Sequence, residues 1–272
     1  SSSTQLPDVP NERKQNSRYA PLPRYWVPEV NVEAELRGRW NPKWLLSFRD
    51  ITNVTNDRTV ICSIIPRIAV GHTSPLILPS PTDSVSLGNF QAGLTGFSLD
   101  YVARQKIGGT HLTYGYFKQL PVLTSNTFNG NCDWEDSDAT VASWLNLRTL
   151  ELTYTAWDLE SFAKDCNYDG PPFRWNEERR FLLRAELDAA FFHLYLGSPL
   201  EWQEKGTPEL LESFPSPRDA VDYMMETFPI VKKKDIAAHG EYRTKRVILE
   251  IYDEMQQAIE KRQPYQTRLN PP

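Results

Sequence analysis

Two kinds of apolar spacing share this chain, and together they limit its folds more than any single motif does. Residues 44–50, 59–66 and 75–79 are short runs rich in Val, Ile, Leu and aromatics, punctuated by Asn-Pro, Asn-Asp, Gly and Pro. Runs this short with turn residues at their ends predict strands. Residues 177–196, 217–228 and 242–262 instead repeat their apolar side chains at helical spacing, with Glu and Lys on the remaining positions. That pattern predicts helices with one buried face, and Pro217 and Arg218 stand near a helix start. Between the two regimes, Val85, Leu87, Phe90, Leu94, Phe97, Tyr101 and Val102 recur at three and four spacing behind a capping Asp83. A helix over residues 83–106 follows, although Gly88, Gly93 and Gly96 weaken it. Gly108-Gly109 stops it, and residues 110–123 read as a further strand segment.

The fold class implied is α+β: a β-rich domain over residues 24–123, then a mainly helical region over 124–272. Residues 1–23 are polar and proline-rich and read as a linker or arm. The acidic cluster Asp133, Glu135, Asp136 and Asp138 reads as a solvated linker leading into a helix, and no internal repeat is present. With 272 residues, 40% of them hydrophobic, and eight Trp, the chain can bury a core. No apolar run approaches the roughly 18–20 residues that cross a bilayer, and the Ser-Ser-Ser start lacks the basic and apolar regions of a signal peptide. Cys62, Cys132 and Cys166 are an odd number at wide spacing, which suits a reducing cytoplasm better than a disulfide framework. The missing initiator Met and the terminal Asn-Pro-Pro lead us to expect a segment of a longer polypeptide.

Charge is uneven along the chain. Residues 1–132 hold 13 basic and 9 acidic side chains, whereas residues 133–272 hold 17 and 26. No acidic residue occurs from 101 to 132, where Arg104, Lys106, His111 and Lys118 stand among Tyr, Asn and Gln. A polyanion fits such a stretch, because Lys and Arg near phosphates release condensed counterions; an ordinary solvated surface is the alternative.

Signals for catalysis are weak. The chain has no G-x-G turn, no G-x-S-x-G elbow, no Walker loop and no pair of His residues on one helix face. Asn270-Pro271-Pro272 matches three letters of the D/N/S-P-P-aromatic turn of amino methyltransferases, without the aromatic. Glu186 and Asp188 lie in the apolar helix of residues 181–196, but two residues apart they do not share a face. Pairing with Arg179, Arg180 or Arg184 is the plainer role for them, and His193 among Phe191, Phe192 and Tyr195 reads as a core histidine. No catalytic, cofactor-binding or metal-ligating residue is assigned.

Residues 101–123, YVARQKIGGTHLTYGYFKQLPVL, have the form of a binding loop. Paired glycines let backbone approach a phosphate or base edge, and Arg, Gln, Lys, Thr and His supply donors on either side. A helix C-cap followed by a strand is the structural alternative. This stretch resembles the end of the target-recognition region in N6-adenine DNA methyltransferases of bacterial restriction-modification and phage-defence systems, including fused methyltransferase-endonucleases and the DISARM type. WLLSFRDI (44–51) and DRTVICSIIPR (57–67) are similar to the strand pair that opens that region. YTAWDL (154–159), GPPFRW (170–175), ERRF (178–181) and HGEYRTKR (239–246) resemble its helical extension, so the resemblance covers residues 19–262.

The resemblance implies a DNA target-recognition part whose S-adenosylmethionine-binding catalytic domain lies N-terminal to it in the parent protein. Its implied partners are double-stranded DNA, that methyltransferase domain and other defence-system subunits. The implied DNA-binding residues are Arg49, Arg58, Arg67, Arg104, Lys106, Gly108, Gly109, Thr110 and His111. Arg49 with Asp50 has a second reading, a local salt bridge that orders a strand. A protein-interaction scaffold built on the acidic helical part is the alternative function.

Overall fold

The computed structural model describes residues 9–23, 25–80, 83–135 and 138–269. Three short strands, β1 (Trp44–Phe48), β2 (Cys62–Pro66) and β3 (Leu76–Ile77), form an antiparallel sheet in the order β2-β1-β3. All five residues of the central β1 are buried, as expected of a strand covered on both faces. Ahead of the sheet lie α1 (Asn11–Lys14) and α2 (Glu29–Leu36).

The expected helix of residues 83–106 is two helices, α3 (Ser84–Thr95) and α4 (Phe97–Lys106). The Asp83 carboxylate accepts from the Ser86 N–H at 2.8 Å, as the capping reading requires. The split has a cause 91 residues away: buried Asp188 accepts the Phe97 N–H at 2.7 Å and so starts a new helix. Two of the glycines that weakened the pattern are packing devices. A Cβ on Gly88 or Gly93 would lie 3.2 Å from the Phe162 ring or 3.1 Å from the Phe191 ring.

Two further short helices, α5 (Tyr114–Phe117) and α6 (Ser125–Asn129), precede α7 (Val141–Thr153) and α8 (Glu160–Asp165). The long α9 (Glu177–Leu196) leads to α10 (Pro199–Lys205), α11 (Pro208–Ser213), α12 (Pro217–Glu226), α13 (Pro229–His239) and α14 (Arg243–Lys261). The chain is therefore α+β, but the sheet in residues 24–123 is small and four helices, α2 to α5, share that region with it. The strand expected over residues 110–123 is replaced by α5 and a single bridge, Ile51 to His111. In the acidic cluster, Asp136 lies outside the described residues, as does the terminal Asn270-Pro271-Pro272.

Each of two cores draws on both halves of the sequence. Trp44, Leu45, Leu46 and Ile64 of the sheet pack with Leu87, Leu94 and Leu99, and also with Phe162 and Cys166 of the later α8 region. Phe97 of α4 joins the helical core around Phe191, Phe192, Met225, Ile251 and Met255. On α14 the buried Val247, Ile248, Ile251, Tyr252, Met255 and Ala258 form one stripe at three and four spacing against α9, α12 and α13. Burying a side chain of this size contributes about 1.5–3 kcal/mol. No helix among the described residues is long and apolar enough to cross a membrane.

Candidate functional site

Beyond β1 the chain keeps pairing, now with the loop after α4. Leu112 N–H donates to the Asp50 carbonyl at 2.7 Å, and Thr52 N–H donates to that of Thr110 at 2.9 Å. This bridge brings Arg49 and Asp50 beside Gly108, Gly109, Thr110 and His111, segments roughly sixty positions apart that the sequence had only suggested belong together. Asp50 bonds His111 Nδ1 at 2.8 Å rather than Arg49, so a cross-strand hydrogen bond stands where the local salt bridge was expected. Phe48 anchors the following turn by stacking on Phe117 at 4.6 Å and meeting Tyr114 edge-on at 5.4 Å.

What this leaves on the outside is an open, basic surface. Arg49, Lys106, Gly108, Gly109, Thr110, His111 and Lys118 are all exposed, and the side chains of Arg49, Lys106 and Lys118 make no hydrogen bond or ion pair with any described residue. Open space faces both Gly108 and Gly109, so a backbone or base edge can approach them closely. Tyr114 and Tyr116, in the helix that follows this loop, are also exposed.

Three arginines expected at phosphates are instead used by the fold. Arg58 donates to the Thr95 carbonyl at 3.1 Å, pairs with Asp188 at 3.3 Å and lies 3.1 Å above the Phe97 ring. Arg67 clamps both Glu33 oxygens at 2.8 and 3.0 Å and caps the carbonyls of Trp40 and Pro42. Arg104 bonds Asp100 at 3.1 Å and the carbonyls of Val54 and Asn56, over the Phe228 ring. Each sits close to apolar sequence, where a guanidinium's five donors can tie several carbonyls at once.

The carboxylates of α9 serve the fold too, with partners other than those expected. Glu186 accepts from Arg148 Nε at 2.7 Å, and from Tyr265, Thr267 and the Arg268 N–H. Asp188 takes Arg58. His193 is a core histidine: its ring stacks 3.9 Å from Tyr252, Nε2 donates to the Tyr252 carbonyl, and burial pushes its pKa down to about 4. Arg179 pairs with Glu151. Arg180 and Arg184, expected only as partners of the α9 carboxylates, line a cavity instead, and their four-residue spacing puts them on one face of α9.

Among the described residues no three His, Cys, Asp or Glu groups converge as metal ligands. Burial raises all three thiols, to about 12 for Cys132 and Cys166, so none is a poised nucleophile. Compared with protein-family models, with curated proteins and with solved structures, the chain matches none.

Proposed function

We propose that this chain is the DNA target-recognition part of an adenine-specific DNA methyltransferase of a restriction-modification or phage-defence system. The observation that carries the DNA-binding part of this reading is the exposed surface of Arg49, Lys106, Gly108, Gly109, Thr110, His111 and Lys118, where Asp50 is taken up by His111 and the three long cationic side chains pair with no described residue. Phosphate contacts of this kind position a duplex, and open glycine backbone beside Thr110 admits closer contact to it. The methyltransferase assignment rests on the sequence resemblance. In that reading the parent's catalytic domain binds S-adenosylmethionine, and this chain's contacts offset the few kcal/mol that flipping an adenine costs.

The test is fluorescence anisotropy of a labelled random-pool duplex between about 50 and 200 mM salt. Three phosphate-neutralising side chains give a log-log slope of about −2.7. Lys106→Glu reduces its magnitude by about one, and a flat slope for the unsubstituted chain removes the proposal.

One observation favours the second reading, a scaffold that docks another defence subunit. Leu22, Tyr25, Trp26, Val27 and Val30 are exposed within nine residues, Trp26 by 74%. Such an apolar run suits burial against another protein. On that reading Trp26→Glu abolishes co-purification with the other defence subunit, and Lys106→Glu leaves it intact.

A further inference from the structure

A cavity of about 480 Å³ lies between β2, α3, α7 and α9, within the range that small ligands occupy. Its charged lining is unbalanced: Arg58, Arg180 and Arg184 face a single carboxylate, Asp188. Arg58 is committed to Asp188. Among the described residues no hydrogen bond or ion pair engages the side chain of Arg184, which is exposed at the cavity. Arg180 lies 3.7 Å over the Trp175 ring and donates to the Leu152 carbonyl at 3.0 Å, which leaves its Nε buried without an acceptor. Across the cavity Thr149 is 2% exposed, and its hydroxyl has no partner either.

Buried polar groups are almost always paired, so an unpaired donor, an unpaired hydroxyl and an unengaged guanidinium around one space point to an external partner. The cationic lining suits an anion, although Glu177 acts on Arg180 and Arg184 from nearby and Glu151 on Arg180. Guanidinium forks match phosphate oxygens in particular. The remaining lining mixes hydroxyl and amide side chains with an apolar part that includes Leu187, Phe191 and the Trp175 indole, and the volume exceeds what a bare phosphate fills. Burial, with the Arg184 charge adding to it, pushes Arg180 down to about 10, which leaves it a cation at neutral pH that gains from an anion.

We propose that this cavity binds a nucleoside monophosphate group, with the phosphate held by Arg184, Arg180 and Thr149 and the nucleoside against Trp175 and the apolar part of the lining. Such a group is available from two sources, a free mononucleotide or a nucleotide of a bound DNA strand. The inference stands whether or not the loop surface binds DNA.

Isothermal titration calorimetry of the full chain with AMP, and separately with inorganic phosphate, tests it. Saturable AMP binding is expected, tighter than phosphate. Arg184→Met weakens it at least about tenfold, because a charge-assisted contact is lost, and leaves the melting temperature unchanged. Thr149→Val removes only the unpaired hydroxyl and weakens AMP binding several-fold, so the proposal remains testable should Arg184→Met fold poorly. Lys106→Glu leaves AMP binding intact, which separates this site from the loop surface. Displacement of a labelled duplex by AMP assigns the nucleotide to DNA, and AMP binding without displacement assigns it to the free pool. No saturable binding of AMP or phosphate, or undiminished binding in both cavity variants, overturns the proposal.

Discussion

Replacing Arg58 by Met separates a structural arginine from a DNA-contacting one. The substitution keeps the length of the side chain but removes the ion pair to Asp188 at 3.3 Å, the bond to the Thr95 carbonyl at 3.1 Å and the charge over the Phe97 ring. Asp188 retains the Phe97 N–H, yet its charge is then buried without its nearest counterion. Breaking a buried pair on one side costs about 3–5 kcal/mol. At about 2–4 °C per kcal/mol for a chain of this size, the melting temperature drops by about 6–20 °C.

Two controls fix the cause of that drop. Burial already raises the Asp188 pKa, and loss of Arg58 raises it further. A carboxyl whose folded pKa is raised stabilises the fold while protonated and loses that contribution as pH rises, so the Arg58→Met deficit shrinks as pH is lowered from 8 towards 5. The double variant Arg58→Met/Asp188→Asn removes the stranded charge while Asn still accepts from Phe97, and it melts above the single variant. Paired thermal melts and duplex titrations provide the readout. An unchanged melting temperature together with duplex binding weakened as in Lys106→Glu would return Arg58 to the DNA surface and refute its assignment to the fold.

Glu186→Ala leaves four donors without their acceptor and costs about 3–5 kcal/mol in urea melts, and it frees residues 263–269 for proteolysis before the rest of the chain; uniform resistance argues against Glu186 as their anchor. His193, held neutral in the fold with its pKa pushed from 6.5 to about 4, takes a proton more readily when unfolded. Its contribution is complete above pH 6.5 and is lost at about 1.4 kcal/mol per unit as pH falls towards 4, and His193→Gln, whose amide can still donate to Tyr252, flattens that slope. Cys62, Cys132 and Cys166 react with a thiol reagent only at the rate of unfolding, and a fast thiol in native buffer contradicts their burial.

Elements whose information is local are legible along the chain. The apolar stripes of α9, α12 and α14, the cap at Asp83 and the placement of β1, β2 and β3 depend on side chains within a turn or two of one another. Even some elements left unassigned carried such signals. Ser198-Pro199, Thr207-Pro208 and Ser216-Pro217 each pair a capping hydroxyl with a proline at the first helical position, and only the last was read as a start.

Tertiary structure alone decided what the charges do. Arg58, Arg67 and Arg104 resemble phosphate ligands along the chain, and the loop that carries Lys106 and His111 resembles them equally. The first three meet Asp188, Glu33 and Asp100 with backbone carbonyls around them, whereas Lys106 ends in open solvent beside Gly108 and Gly109. The same long-range carboxylate, Asp188, splits α3 from α4, and Glu186 finds Arg148 rather than the arginines of its own helix. A helix is written in neighbours three and four positions apart, but the partner of a buried charge is whatever the packing of distant segments brings within about 3 Å, and no local pattern encodes that distance.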